Sequence, residues 1–358
     1  MITFKKRKPA RVAVLVYVPD TKTYIDQFWG LYESTLISKD NADTFDFVII
    51  APQSAVGKLP QKNCYIFPRE ELSFEEKYRT KYNNEPYRYI NSFQHFVDAE
   101  VSEFLSSNYE YCFRLDVDTF VTPSAHLLGA DPRKVKVGHG GYYGETPKQH
   151  LKAHCSSLGF SFCHDHPIGS TWFGRTNDIL EAGKATVEFC EYLINEDSTF
   201  VEGEGAWPDW YAGVILLYAG HLAFCKLDHI EVEVFKFDVG TTEQNSIDGV
   251  YSLHCWHSGD FFSKFRFAAG QYEGVEVDHW AKTMKASDYA FFCASKGQAN
   301  RRELHLYEDE QHLAIQKEEV SDDSKEEVSD DSVVRIYLDK PGITINISEQ
   351  GEVEVRKA

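Results

Sequence analysis

The chain has 358 residues, 42% hydrophobic and 14% aromatic, enough to bury a large core in one domain with an appendage or in two domains. Its net charge of −19 argues against a nucleic-acid-binding surface, which needs clustered Lys and Arg to meet phosphates. Lys5-Lys-Arg-Lys8 is followed by no signal-type apolar stretch, and no run approaches the ~18 apolar residues of a membrane span. The expectation is a soluble, cytoplasmic protein, whose eight scattered cysteines read as reduced thiols.

Arg11 to Val18 is a nearly continuous apolar run, as in a strand buried on both faces. Tyr24, Phe28, Leu31, Tyr32 and Leu36 recur at helical spacing. Phe45 to Pro52 and Cys64 to Pro68 read as the next two strands. Such alternation predicts an α/β fold built on a parallel sheet. A single helix is expected over 86–106, burying Ile90, Phe93, Val97, Val101, Phe104 and Leu105. Tyr111 to Leu115, broken by Arg114, reads as a buried strand ending in Asp116-Val-Asp118.

From 129 to 168 the chain is rich in Gly, His and Tyr and reads as a long functional loop. A helix follows from Asp178 to about Ile194, capped by Thr176 or Asn177. Another is expected from Asp209 to Gly220, then strands at 222–227 and 250–257. Residues 308–332 hold eleven acids against Lys317 and Lys325, and Glu-Glu-Val-Ser-Asp-Asp-Ser occurs there twice. The expected organisation is a domain at 1–305, an acidic low-complexity linker at 306–332 and a small β-meander at 333–358.

The chemistry centres on Asp116 and Asp118. Two carboxylates at a strand end cost several kcal/mol to bury unless a partner neutralises them, in order-of-magnitude terms. A divalent cation is a common partner, since Mg²⁺ uses one or two carboxylates and completes its shell with substrate phosphates. The end of a strand in an open α/β sheet is also where such sheets bind ligands.

A second candidate segment runs from Tyr251 to Lys264. Strand alternation points His254 and His257 to opposite sides, so one of them is available to join Asp118 on a metal. Gly259 and Lys264 suit a diphosphate. A third group, His154-Cys155 with Cys163-His-Asp-His166, carries zinc-type ligands at no familiar spacing. It reads more readily as a histidine-rich loop on the acceptor side, with Asp165 or His166 at the acceptor.

The order of these parts resembles the nucleotide-sugar glycosyltransferases of the GT-A fold: strand–helix alternation, the segment Tyr87-Arg-Tyr-Ile-Asn-Ser-Phe93, then Asp116-Val-Asp118, and a late His-x-Gly with a following lysine. The resemblance covers residues 10–290. It implies an open mixed sheet flanked by helices, with a Rossmann-like nucleotide half, and transfer of a sugar from a nucleotide donor, UDP-sugar foremost, to a glycan or other hydroxyl. It further implies Mn²⁺ or Mg²⁺ on Asp118, with Asp116 on the ribose or metal and His257 or His254 as late ligand. Lys264 would touch the diphosphate. Val16, Tyr17, Val18 and the loop after them would hold the base, and Arg88 and Asn91 would contact the nucleotide. An inverting enzyme, the favoured stereochemistry, needs a general base, for which Asp209 between Trp207, Trp210 and Tyr211 is the first candidate and Glu204 the second.

The family's late His-x-x-Gly-x-x-Lys-Pro-Trp pattern is not matched, because the spacing here is His257-x-Gly259 and no Pro-Trp follows Lys264. Two alternatives stand beside this reading. One is a haloacid-dehalogenase-type phosphatase with Asp116 as nucleophile, since Asp116-Val-Asp118-Thr119 approaches Asp-x-Asp-x-Thr. The other is a carbohydrate-binding protein without activity on the same fold.

Overall fold

The computed structural model describes residues 11–81, 83–128, 134–142, 144–201, 207–255, 262–276 and 283–302, with strands at 334–337, 343–347 and 353–357. Lys5–Lys8, Glu204, His257, Gly259 and the acidic stretch 306–332 lie outside the described residues. Two compact units are formed, Met1–Glu303 and Leu304–Ala358.

The first unit opens with β1 (Val12–Tyr17), α1 (Lys22–Leu36), α2 (Lys39–Thr44), β2 (Phe45–Ala51) and β3 (Cys64–Pro68). Thr21 caps α1, its side chain accepting from the Tyr24 backbone N–H. A 3₁₀ helix at Arg88–Phe96 precedes α3 (Ala99–Asn108), β4 (Tyr111–Arg114) and the short β5 (Thr119–Val121). Next come β6 (Lys134–His139), α4 (Glu145–Ser157), β7 (Ile168–Arg175), α5 (Thr176–Glu196) and the one-turn α6 (Ser198–Val201). After α7 (Ile215–Lys226) the chain forms β8 (Glu231–Val234), β9 (Val239–Gly240), β10 (Ser252–His254) and α8 (Lys264–Ala268). A last helix, α9, spans 286–302.

Among the described residues the main sheet has seven strands in the order β3-β2-β1-β4-β7-β6-β8. Its first four strands are parallel, and β7 runs antiparallel to both β4 and β6. The fold is thus the expected α/β class, an open mixed sheet flanked by helices. β1 and β2 are buried along their whole length, which is why they are apolar without alternation. Trp172 of β7 packs edge-on against Phe224 of α7 at 4.9 Å and against Phe93 at 5.2 Å. Truncating so large a buried side chain costs about 3–5 kcal/mol.

Four expectations are corrected. The helix over 86–106 is two pieces, because Asp98 leaves the helical path to cap α3, accepting from Val101 N–H at 3.0 Å and binding Arg69. Val97, expected in the buried face, is 42% exposed at that break. The described part of 129–168, residues 134–142 and 144–168, contains β6 and α4 rather than one long loop. α7 begins at Ile215 rather than Asp209 and takes in most of the expected strand at 222–227. Ile215–Cys225 is buried on nearly all sides, and a short apolar run buried all round has no period that separates helix from strand. Finally, neither residue proposed to cap α5 does so. Thr176 is inside the helix and donates its hydroxyl to Tyr109 O at 2.7 Å, tying α5 to the start of β4.

The expected strand at 250–257 is shorter, Ser252–His254. No helix among the described residues is long and apolar enough to cross a membrane. The second unit contains β11 (Val334–Tyr337), β12 (Ile343–Ile347) and β13 (Val353–Lys357) in an antiparallel meander.

Candidate functional site

β4 stops at Arg114, and the chain turns through Asp116 and Asp118 at the carboxyl edge of the parallel strands before entering β5. β5 pairs antiparallel with β10, which pairs parallel with β9. That register sets His254 opposite Thr119, one residue past Asp118. His254 Nε2 consequently lies 3.3 Å from Asp118 Oδ1 and 3.9 Å from Asp116 Oδ2. One ligand atom from each of the three residues falls within 4.8 Å of the others.

Every member has a second contact. Asp116 Oδ1 is 2.7 Å from Arg114 Nη2, so the residue that interrupts the apolar strand neutralises the first carboxylate. Arg114 is itself buried, lies 4.7 Å over the Phe93 ring, and donates to Ser92 Oγ at 2.8 Å and to the Ser170 carbonyl. Asp118 Oδ2 meets Lys264 Nζ, from the first residue of α8, at 2.5 Å. The other ring nitrogen of His254 faces Asp238 Oδ1 at 3.4 Å.

Asp238 is held with unusual care. It is buried, at φ 55°, just before β9. Thr171 of β7 donates its hydroxyl to Oδ1 at 2.5 Å and its N–H to Oδ2 at 3.3 Å. Two glycines leave room for this carboxylate. A Cβ at Gly138 would stand 1.9 Å from Asp238 Oδ2, and one at Gly169 would stand 2.7 Å from it.

The electrostatics follow from these contacts. Burial favours a neutral Asp118, but the His254 and Lys264 charges outweigh it and hold the carboxyl well below the usual carboxylate range. Burial also opposes charge on His254, yet Asp118 and Asp238 lift its pKa well above that of a free imidazole. The cluster therefore gathers positive charge. Two carboxylates are hard donors that suit Mg²⁺ or Mn²⁺, the imidazole is a borderline one that Mn²⁺ accepts more readily, and a carboxylate behind the imidazole is how proteins orient a metal-binding histidine. These residues fit such an ion.

The other expected residues lie as follows. Lys264 joins the cluster, and His254 is the histidine brought to the aspartates; His257 and Glu204 are outside the described residues. Val16, Tyr17 and Val18 have buried side chains at the end of β1, leaving backbone and the following loop to face a ligand. Asn91 is buried and engaged, accepting from Ser73 N–H at 2.8 Å and donating to Glu71 at 3.2 Å. Arg88 is exposed on the 3₁₀ helix. Asp209 lies in a bend after the cis Trp207–Pro208 bond, where Oδ1 accepts from the Trp210 N–H at 2.9 Å.

Sequence reasoning missed Asp238 and undervalued Arg114. Phe235-Lys-Phe-Asp-Val-Gly240 matches no motif, and only sheet pairing brings it behind His254. Arg114 did carry a signal: a charge inside a buried strand two residues before a carboxylate needs that carboxylate as a partner.

No curated protein matches the sequence. Among solved structures the chain is similar to the apo structure of WbbM, a bifunctional glycosyltransferase, at 10% identity and a TM-score of 0.37. The similarity covers 72% of this chain and 47% of that one, so the chain spans about half the length of that protein. A family model for a domain of unknown function, DUF7164, matches residues 6–325, and the protein belongs to that family.

Proposed function

We propose that the protein is a metal-dependent glycosyltransferase that moves a sugar from a nucleotide donor, UDP-sugar foremost, to a hydroxyl acceptor such as a glycan. The observation that carries this reading is the convergence of Asp116, Asp118 and His254 at the carboxyl edge of parallel strands, with Lys264 against Asp118 and Asp238 behind His254. Asp116, Asp118 and His254 would hold Mn²⁺ or Mg²⁺, which when bound neutralises the donor diphosphate and stabilises it as a leaving group. Asp238 keeps the imidazole turned toward the aspartates. Arg114 holds Asp116 in place through its 2.7 Å contact with Oδ1. Lys264 supplies a second positive charge next to the position of the diphosphate, and the loop after Val18, with Arg88, is available to the nucleoside.

In the transfer, the acceptor oxygen attacks the anomeric carbon and its proton passes to a general base. The bond from that carbon to the diphosphate oxygen breaks, and its electron pair leaves with the nucleoside diphosphate. Asp209 is the base in this scheme and Glu204 the alternative; a single displacement of this kind inverts the anomeric centre. Trp207 and Tyr211, both exposed, offer faces on which an acceptor sugar can stack.

Calorimetry with UDP, GDP and dTDP, each without metal, with Mn²⁺ and with Mg²⁺, tests the reading. Binding of at least one nucleoside diphosphate should depend on the metal and weaken at least about tenfold in Asp118→Asn. Failure of every nucleotide to bind with either metal would sink the proposal. Phosphate release inhibited by beryllium fluoride would instead return Asp116 to a nucleophile's role.

A further inference from the structure

A second set of metal-type ligands is built from other elements. The segment between α4 and β7 carries Cys163 and His164. α7 carries His221 and Cys225, four residues apart and thus on one face of the helix. Cys163 Sγ, Cys225 Sγ and a ring nitrogen of His164 lie within 4.8 Å of one another. The loop backbone is pinned to the helix thiol, since Cys163 N–H donates to Cys225 Sγ at 3.4 Å.

The imidazoles make the case. His164 Nε2 is buried and has no hydrogen-bond partner. His221 is 2% exposed; its Nδ1 lies 2.9 Å from the Tyr142 hydroxyl, and its Nε2 is likewise buried and without a hydrogen-bond partner. The two rings are 6.1 Å apart between centroids. A buried polar atom left unsatisfied is destabilising, and a cation bound between the two nitrogens and the two sulfurs removes that cost for both. By contrast, the group His150, His154 and Asp197 is satisfied from within, because His154 Nε2 already meets Asp197 at 2.8 Å and Asp197 accepts from Thr199.

We infer that Cys163, His164, His221 and Cys225 bind a zinc ion. Two thiolates and two imidazoles make the tetrahedral sulfur–nitrogen set that selects zinc over the oxygen-seeking Mg²⁺ and Mn²⁺, and a closed set of four protein ligands is a structural site. With Nε2 on the metal, His221 donates its Nδ1–H to the Tyr142 oxygen, which also accepts the Ile168 N–H at 2.9 Å. Ile168 opens β7, the strand that carries Thr171. The ion thereby ties the loop, α7 and the start of β7 together. Cys163 is exposed and gives the metal an entry path.

The test uses the full chain purified under reducing conditions without added chelator. Elemental analysis should find about one zinc per chain. Cobalt exchanged into the site should give the intense visible bands of tetrahedral coordination and a near-ultraviolet thiolate-to-cobalt band. Cys225→Ser and His164→Ala should each lower zinc affinity at least about tenfold. Asp118→Asn should keep its zinc, so this result stands or falls apart from the nucleotide experiment. Should Cys225→Ser fail to fold, the wild-type cobalt spectrum and the His164→Ala protein still decide. A zinc-free chain whose melting temperature ignores both chelator and added zinc overturns the inference, as does a native Cys163–Cys225 or Cys155–Cys225 disulfide. A cobalt spectrum unchanged in His221→Ala removes His221 from the set and overturns the four-ligand assignment.

Discussion

The acidic cluster and the cysteine–histidine cluster are built on opposite logics. At Asp116, Asp118 and His254 every charged atom already has a partner of the opposite sign: Arg114, Lys264 or Asp238. The set is balanced without an ion, and its ligands are oxygen and nitrogen. At Cys163, His164, His221 and Cys225 the imidazole Nε2 atoms have no hydrogen-bond partner, and half the ligands are sulfur. A site whose own cations stand in for the metal can load and release it with substrate, whereas a site that leaves buried nitrogens unpaired gains from holding an ion permanently. The contrast matches exchange at the first and permanence at the second.

The largest effect that separates the two clusters is expected from Asp118→Asn. It removes the charge that both His254 and Lys264 contact. Under the transferase reading, kcat/KM with a nucleotide sugar and Mn²⁺ should fall about 10³-fold, or ~4 kcal/mol of transition-state stabilisation. Zinc content should not move. Steady-state kinetics and elemental analysis on one preparation measure both, and a parallel loss of zinc would mean that the clusters are not independent.

Acid offers a second separation, but only above the range in which the scaffold itself weakens. His95 is fully buried, with Nε2 3.0 Å from Val48 O on β2. Burial, aided by the Arg114 charge, holds its pKa down at about 4. An unfolded chain takes up this proton near the ordinary value of ~6.5, so between those values the unfolded state binds more protons and stability falls as pH falls. The expected loss is about 3 kcal/mol between pH 7 and pH 4. Urea unfolding should show it, and His95→Gln should flatten that part of the profile; an unchanged profile in the variant would assign the acid loss to other groups. Metal release from the two clusters is therefore best compared above about pH 6.5.

What could be read from the sequence divides along physical lines. β1, β2 and β4 were legible because strands buried on both faces are mainly apolar runs, broken here by Asp46 in β2 and Arg114 in β4, and Asp116 and Asp118 because paired carboxylates after such a run need a partner. Strand alternation gave the expectation that His254 and His257 face opposite sides. It could not say which side meets the aspartates, since that depends on the pairing of His254 with Thr119. Gly138 fell in the expected loop, yet it and Gly169 leave space for a carboxylate from a third segment. α7 was taken in part for a strand because burial on all sides erases the helical period. The cysteine–histidine group was visible only as a cluster in sequence, and its partners on α7 came into view once α7 was a helix.

Asp238 gives the smallest of these effects and the finest test of the contrast, because it touches neither Asp116 nor Asp118 in the contacts that define the cluster but turns the imidazole toward them. Asp238→Asn keeps the shape and the Thr171 contact while weakening the hold on His254 Nδ1. Orienting partners of this kind are worth about 10–100-fold in metal affinity. Mn²⁺ binding should weaken by that much, with nucleotide KM rising through the metal and kcat changing less. Gly138→Ala should do the same by a different route, since its new methyl would have to displace Asp238 Oδ2 from 1.9 Å, and it should also cost about 1–3 kcal/mol of stability by overpacking. Electron paramagnetic resonance of bound Mn²⁺ reads the affinity in both variants. If either variant binds Mn²⁺ as the wild type does, Asp238 is a packing residue, and the acidic cluster loses the feature that distinguishes a prepared site from two aspartates beside a histidine.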